Sequence, residues 1–430
     1  MSKAQIFNNI LGVLVIVISG ILGGFILAGA TSVFIILSKS GTKRLYFILT
    51  LFLITFLLAD NFKGPLAFIQ DFRFVILGLS VLILLRHNLF QNNKGTLLIG
   101  FTIYTLVITF IFSPLGFSAI IRSLGFIIVA LVIFKLLNLL LDRDRKKTID
   151  LILSIFFLYI FLNIIVFFFP IYEGIFNEGR FSGLMGNPNG LGLLGAFSYV
   201  LIQWIGLNEM TTYSKRSLLI FKVLLFLIII LTGSRTALLA VFAFELILRV
   251  YKNKILLIAS LLSLTFIGII LNSVVFEELI MSLGLIDYLR LDTLETASGR
   301  TEVWEVAYDE FLRQPWLGKG LLYDDYFIQD YSLKRFGENN ARNWNKVWSS
   351  YLSLALDVGI IGILLFGQFW YRLFKASTDK LFGLAFIVMI LITAVTESWM
   401  ASSMNTYMPV VFLIWALQTN HGKRLQKTAI

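Results

Sequence analysis

The sequence predicts an all-α protein: a polytopic transmembrane helical bundle of about 13–14 spans, with one large extracytoplasmic loop containing short amphipathic helices. Three observations predict it. Hydrophobic residues make up 58% of the 430 residues and charged residues 14%, against roughly 45–50% and about 25% in soluble domains. Several apolar runs reach or approach the ~20 residues that cross a bilayer. The lysines and arginines also alternate strongly between successive connections.

Taken in order, the spans are expected near 10–37, 45–59, 67–86, 96–113, 118–140, 149–169, 190–207, 218–232, 236–249, 255–275, 347–371, 381–396 and 404–418. The first run is too long for the apolar core of a cleavable signal, so it is expected to stay as the first membrane element. At 1.5 Å per residue it would make a helix of about 42 Å. It is either one tilted helix or two short ones meeting near Gly23-Gly24. The side on which the N-terminus lies stays open; the C-terminus is expected inside.

The net charge of +11 is a topology signal rather than a nucleic-acid one. Seven connections, from "SKSGTKR" to the tail "HGKRLQK", hold 20 lysines and arginines. The other short loops and the span ends beside them hold only Lys63, Arg73, Arg122, Arg180 and Arg235. The positive-inside rule makes the first set cytoplasmic. The absence of cysteine excludes disulfides and thiolate chemistry, and His87 and His421 lie far apart beside basic clusters, so zinc and histidine chemistry are not expected.

Three segments follow: an N-terminal transmembrane bundle at 1–275, an extracytoplasmic loop at 276–346, and C-terminal transmembrane helices with a basic tail at 347–430. The loop holds 13 of the 25 acidic residues, and a connection of this length folds on its own or serves a site. Within it, Val303, Trp304, Ala307, Tyr308, Phe311 and Leu312 repeat at helical spacing, with Ser298 placed to cap the helix and Pro315 and Gly318 to end it.

Arg180, Arg235 and Arg300 all fall on the outer side, each near an expected helix start. "NPNG" precedes the span from Gly190, Ser234 can cap the span from Thr236, and Arg300 opens the loop helix. Helix N-termini present free N–H groups and partial positive charge, and glycine lets a ligand approach them. The trio therefore points to a phosphorylated ligand. One arginine about 4 Å from a phosphate oxygen gains roughly 4 kcal/mol of gross Coulomb energy at an effective dielectric near 20. The plainer alternative is interfacial arginines reaching lipid headgroups.

"RFSGLMGNPNGLG", "TGSRTALLA", "SGRTEVWEVAYDEFLRQPWLGKGL" and "VWSSYLSLALDVGIIGILLF" occur in this order, the third in the large external loop. Together they resemble the O-antigen ligase and Wzy-type O-antigen polymerase superfamily of membrane glycosyltransferases, over Arg180 to Phe366. The resemblance implies a bacterial cytoplasmic-membrane enzyme with an extracytoplasmic active site. It would transfer an undecaprenyl-diphosphate-linked oligosaccharide to an acceptor hydroxyl, usually with inversion and with neither metal nor other cofactor. The bilayer, a flippase and a chain-length regulator are the implied partners; nucleic acid is not. The diphosphate-binding arginines map onto Arg180, Arg235 and Arg300.

One position departs from the ligase pattern, His-Asn-x-Tyr-Leu before the span after the loop. Here Trp348 stands in place of the histidine, followed by Ser349, Ser350 and Tyr351, and an indole accepts no proton. This favours a polymerase over a ligase. Glu338, Asp357, Glu397 and Glu173 are the carboxylates available as a base, with Glu397 grouped with Arg180 and Arg300 as catalytic; Asp357 is equally readable as a packing residue. A flippase remains the reading from another class, since Arg122, Lys135 and Lys222 fall in or near spans. Such carriers tend to show internal repeats, and no convincing repeat is visible.

Overall fold

The computed structural model describes residues 3–60, 64–177, 179–250, 300–337, 344, 346–400 and 405–420. The expected span at 255–275, Ser298, Glu338 and His421 lie outside the described residues. Thirteen α-helices run through the rest: α1 Lys3–Ser38, α2 Gly41–Leu57, α3 Ile69–Leu85, α4 Ile99–Phe112, α5 Phe117–Phe168, α6 Pro188–Asn208, α7 Lys215–Leu231, α8 Arg235–Val250, α9 Arg300–Arg313, α10 Tyr323–Phe336, α11 Ser350–Ala376, α12 Lys380–Thr396 and α13 Tyr407–Asn420. A two-stranded hairpin pairs Phe176–Asn177 with Arg180–Phe181. The protein is a multi-pass helical membrane protein. Among the described residues, α1, α5, α6, α11 and the segment 94–112 are long and apolar enough to cross a bilayer, and α12 is a shorter apolar helix.

The structure decides between the alternatives at the N-terminus. The helical dihedrals of α1 break at Gly23 and Gly24, and a Cβ placed on Gly12 would lie 3.8 Å from Cγ2 of Ile35. A straight helix would separate those residues by about 35 Å. The run is therefore two short helices folded side by side, which returns the N-terminus to the end of the bundle that holds Lys39 and Arg44. The spans expected at 118–140 and 149–169 form one 52-residue element broken at Asp144. Past the break, Thr148 lies 3.5 Å from the Tyr46 hydroxyl, while Asn163 accepts from the Leu184 N–H near the opposite end.

Contacts between loops sort the two ends independently of charge. Arg145 pairs with Glu209 and reaches the Asn420 carbonyl, which gathers the basic connections at one end. At the other end the Asp60 carboxylate accepts from the Thr406 N–H, and Arg180 donates to the Thr232 carbonyl. The lysines noted inside spans have local partners: Lys135 donates to the Gln91 carbonyl and Lys222 to Gln203 Oε1.

The span expected at 347–371 needs correction: α11 is broken at Gly359, whose φ is 61°. A break leaves unpaired backbone groups, and these must be satisfied by protein wherever water is excluded. The segment "PWLGKG" supplies the partners. Ile360 and Ile361 N–H donate to the carbonyls of Pro315 and Trp316, while Lys319 and Gly320 N–H donate to those of Leu356 and Asp357. The Tyr104 hydroxyl contacts the carbonyls of both Leu317 and Val358. The lid is thus pinned into the broken helix about two turns below the end of α4. A small second core of Val303, Ala307, Tyr323, Ile328, Val347 and Leu356 joins α9, α10 and the first half of α11.

Candidate functional site

α8 carries buried Ala237, Ala240, Val241 and Phe244, a helical stripe facing α12, where Phe244 meets Phe382 edge-on at 5.1 Å. This packing sets the start of α8 beside the end of α12, with the hydroxyls of Thr236 and Thr396 2.7 Å apart. At the start of α6, Asn187 caps through its side chain, which accepts from the Gly190 N–H, and Pro188 takes the first helical position. One turn further, a Cβ on Gly192 would fall 2.6 Å from that of Ser234. Only glycine lets α6 come this close to the α7–α8 turn.

Around that junction the structure brings together three of the residues singled out from sequence. Arg180, 7% exposed, donates through Nε to the Thr232 carbonyl at 2.7 Å and through Nη2 to Asn189 Oδ1 at 2.6 Å. The Asn189 amide donates to Glu397 Oε1 at 3.0 Å. The same oxygen receives Arg300 Nη2 at 3.2 Å, while Arg300 Nη1 holds the Thr396 carbonyl. A continuous chain thus runs Arg180, Asn189, Glu397, Arg300, linking the outer hairpin, α6, α12 and the lid helix α9. Burial pushes the Glu397 carboxyl above its ordinary range, against the pull of Arg300 and the Asn189 hydrogen bond. Arg235 opens α8, next to the Thr236 that touches Thr396.

The other candidates sit elsewhere. Trp348 has a φ of 51°, a region costly for a bulky residue, and its ring packs against the lid core. Tyr351 turns to α12, its hydroxyl donating to the Leu391 carbonyl at 2.8 Å. Asp357 is a cap for the lid: its carboxylate accepts the N–H groups of Leu322 and Asp324 at 3.1 and 2.9 Å, at the start of α10. Each such bond contributes roughly 0.5–1.5 kcal/mol, and a buried N–H left without its acceptor costs about 1–3 kcal/mol. Asp357→Ala should therefore raise amide hydrogen exchange across residues 321–327, with Asp357→Asn in between; wild-type protection in the alanine variant would remove the capping role.

Sequence reasoning missed Asn189, read only as part of a turn, and the serines of "VWSSYLS". The Ser350 hydroxyl donates to the Glu397 carbonyl at 2.6 Å and accepts the Trp399 and Met400 N–H groups. Ser398 accepts from the Ser349 N–H and the Ser353 hydroxyl. These bonds fix the turn that presents Glu397. The repeated serine was the available signal, although small polar residues at a helix start are common enough to pass as caps.

Residues 220–367 match the family model described as O-Antigen ligase. The match contains Arg235, Arg300, Trp348 and Asp357, whereas Arg180 and Glu397 fall outside it. No curated protein matches the chain.

Proposed function

We propose that the chain, whose residues 220–367 match the O-Antigen ligase family model, is a glycosyltransferase-like membrane enzyme of the O-antigen ligase and Wzy-type polymerase kind, and that it polymerises repeat units of a surface polysaccharide. It takes a lipid-diphosphate-linked glycan and transfers it to the terminal sugar hydroxyl of another repeat unit, at the outer face of the bacterial cytoplasmic membrane. The observation that carries the reading is the Arg180–Asn189–Glu397–Arg300 chain, at the bundle end opposite the basic loops and beneath the lid.

A glycosyl diphosphate already holds a good leaving group. The protein has to bind two anionic phosphates, steady the charge growing on the leaving oxygen and aim a hydroxyl at the anomeric carbon. Arginines held in place before the reaction do this without reorganising during it. In this reading Arg180, Arg235 and Arg300 receive the diphosphate, and Glu397 is the positioning residue that keeps Arg300 and Asn189 in register. Transfer is inverting and needs no metal. Trp348, where the ligase pattern has histidine, favours polymerase over ligase.

The test is incubation of the purified protein with lipid-diphosphate-linked repeat units alone. A polymerase yields a ladder of products; no reaction until a second acceptor is added would replace this reading with ligase-type transfer.

A further inference from the structure

Beside the arginine chain lies a second feature that the diphosphate reading does not use. A narrow cleft of about 40 Å³, room for a few water-sized polar groups, opens between the start of α10, the start of α11 and α5. Arg122, Asp324, Asp325, Lys346 and Ser398 are among its lining residues. Asp324 is 6% exposed, and among the described residues its carboxylate has no hydrogen-bond partner, although its own N–H is held by Asp357. A carboxylate that lines a cleft and has no partner from the protein can accept from a ligand's donor in place of water. Asp325, the next residue, stands 3.7 Å from Arg122 Nη2, too far for a hydrogen bond.

Neutral sugars present several hydroxyl donors at once, which carboxylates and serines in a mixed-charge cleft can accept. Phosphate would meet like charge from Asp324 and Asp325. The cleft is contiguous with the arginine chain: Ser398 follows Glu397, and Ser350, also lining the cleft, donates to the Glu397 carbonyl. Lys346 acts electrostatically on both Asp325 and Glu397.

Resting on the polymerase reading, we propose that this cleft receives the hydroxyl edge of the acceptor sugar, with Asp324 binding one of its hydroxyls and Asp325 acting as the base for the attacking one. The acceptor oxygen forms a bond to the anomeric carbon of the donor while its proton passes to Asp325. The anomeric carbon–oxygen bond breaks, and its electron pair leaves with the lipid diphosphate. The proton then returns to solvent. Burial and the neighbouring Asp324 charge push the Asp325 carboxyl up to about 7, against Arg122 and Lys346. A base near neutrality suits proton transfer at physiological pH. The charged groups around Asp325 in the cleft are Asp324, Asp357, Arg122 and Lys346.

The experiment compares purified wild type, Asp325→Asn, Asp325→Glu and Asp324→Asn in two assays: binding of undecaprenyl diphosphate, and elongation of lipid-diphosphate-linked repeat units across pH. Asp325→Asn should elongate at least about 100-fold more slowly yet bind undecaprenyl diphosphate within about twofold of wild type. Asp324→Asn should chiefly raise KM. Wild-type turnover should rise with pH through about 7, and this limb should vanish in Asp325→Asn and shift in Asp325→Glu. An active wild type whose Asp325→Asn variant turns over within threefold of it, or whose Asp325→Glu variant keeps the limb unmoved, overturns the base assignment alone. Wild-type protein that neither binds undecaprenyl diphosphate nor elongates overturns this proposal and the polymerase reading together.

Discussion

Arg300→Ala is expected to lower glycan transfer by about 10³-fold, the range seen when a charge-stabilising donor is removed from a preorganised site. Arg300 makes two contacts at the end of α12, with the Thr396 carbonyl and with Glu397, both of which hold its guanidinium on the lid side of the arginine chain. Its loss leaves Glu397, 18% exposed at its side chain, without its cation. That costs on the order of 1–3 kcal/mol, less than a fully buried pair would. The activity loss should therefore far exceed the stability loss. Arg300→Lys keeps the charge without the planar fork and should fall between. Glu397→Gln, which still accepts from Asn189, should impair turnover less than Arg300→Ala and more than Asp357→Asn. The measurement is polymer amount and length from membranes with matched protein levels; wild-type polymer from Arg300→Ala would end the diphosphate assignment for that residue.

Gly359→Ala is expected to have the largest structural effect, undocking the lid from α11. The new Cβ would lie 2.5 Å from the Trp316 carbonyl oxygen and 2.6 Å from the Gly318 N. Both obstacles are backbone, so no rotamer relieves the clash. Gly359 also sits at φ 61°, which adds roughly 1–2 kcal/mol for a residue with a Cβ, on top of about 1–3 kcal/mol for overpacking. Gly318 approaches from the other side at φ 73°, and its Cβ would meet Val358 N at 2.5 Å, so Gly318→Ala should behave alike. Limited proteolysis in detergent should cut between residues 313 and 323 faster in both variants, with a lowered unfolding temperature. Unchanged cleavage would mean that the crossing tolerates more than its geometry suggests.

Both experiments turn on features that differ in how far they could be read beforehand. Hydropathy located the described helices to within a few residues at most ends, because a bilayer imposes a minimum apolar length. Basic residues sorted the connections, and the contacts of Arg145 at one end and Asp60 at the other agree with that sorting. The break in α11 was not legible. "SLALDVGIIGILLF" is apolar throughout, and a glycine in such a run signals packing as readily as a break. What makes Gly359 a break is the "PWLGKG" segment about 40 residues earlier, and no local pattern reports a partner at that distance.

The same distinction governs the site. Arg180, Arg300 and Glu397 stood out because each breaks the charge or polarity pattern around it, a property of single positions. Their joining through Asn189, and the second site at Asp324 and Asp325, depend on which helix ends meet. Asp324 in the sequence is one of many acidic residues of a solvated loop. It becomes a buried, unpartnered carboxylate only because Asp357 captures the start of α10 and folds it against the bundle. By itself the sequence determined that the chain lies in a membrane, which connections share an end and which arginines break the charge rule, since hydrophobic length and charge are additive along the chain. Tertiary structure alone decided that a lid segment would plug a broken helix and that the arginine chain and the carboxylate cleft would meet at the turn of Glu397 and Ser398, because those outcomes depend on close approach between segments far apart in sequence.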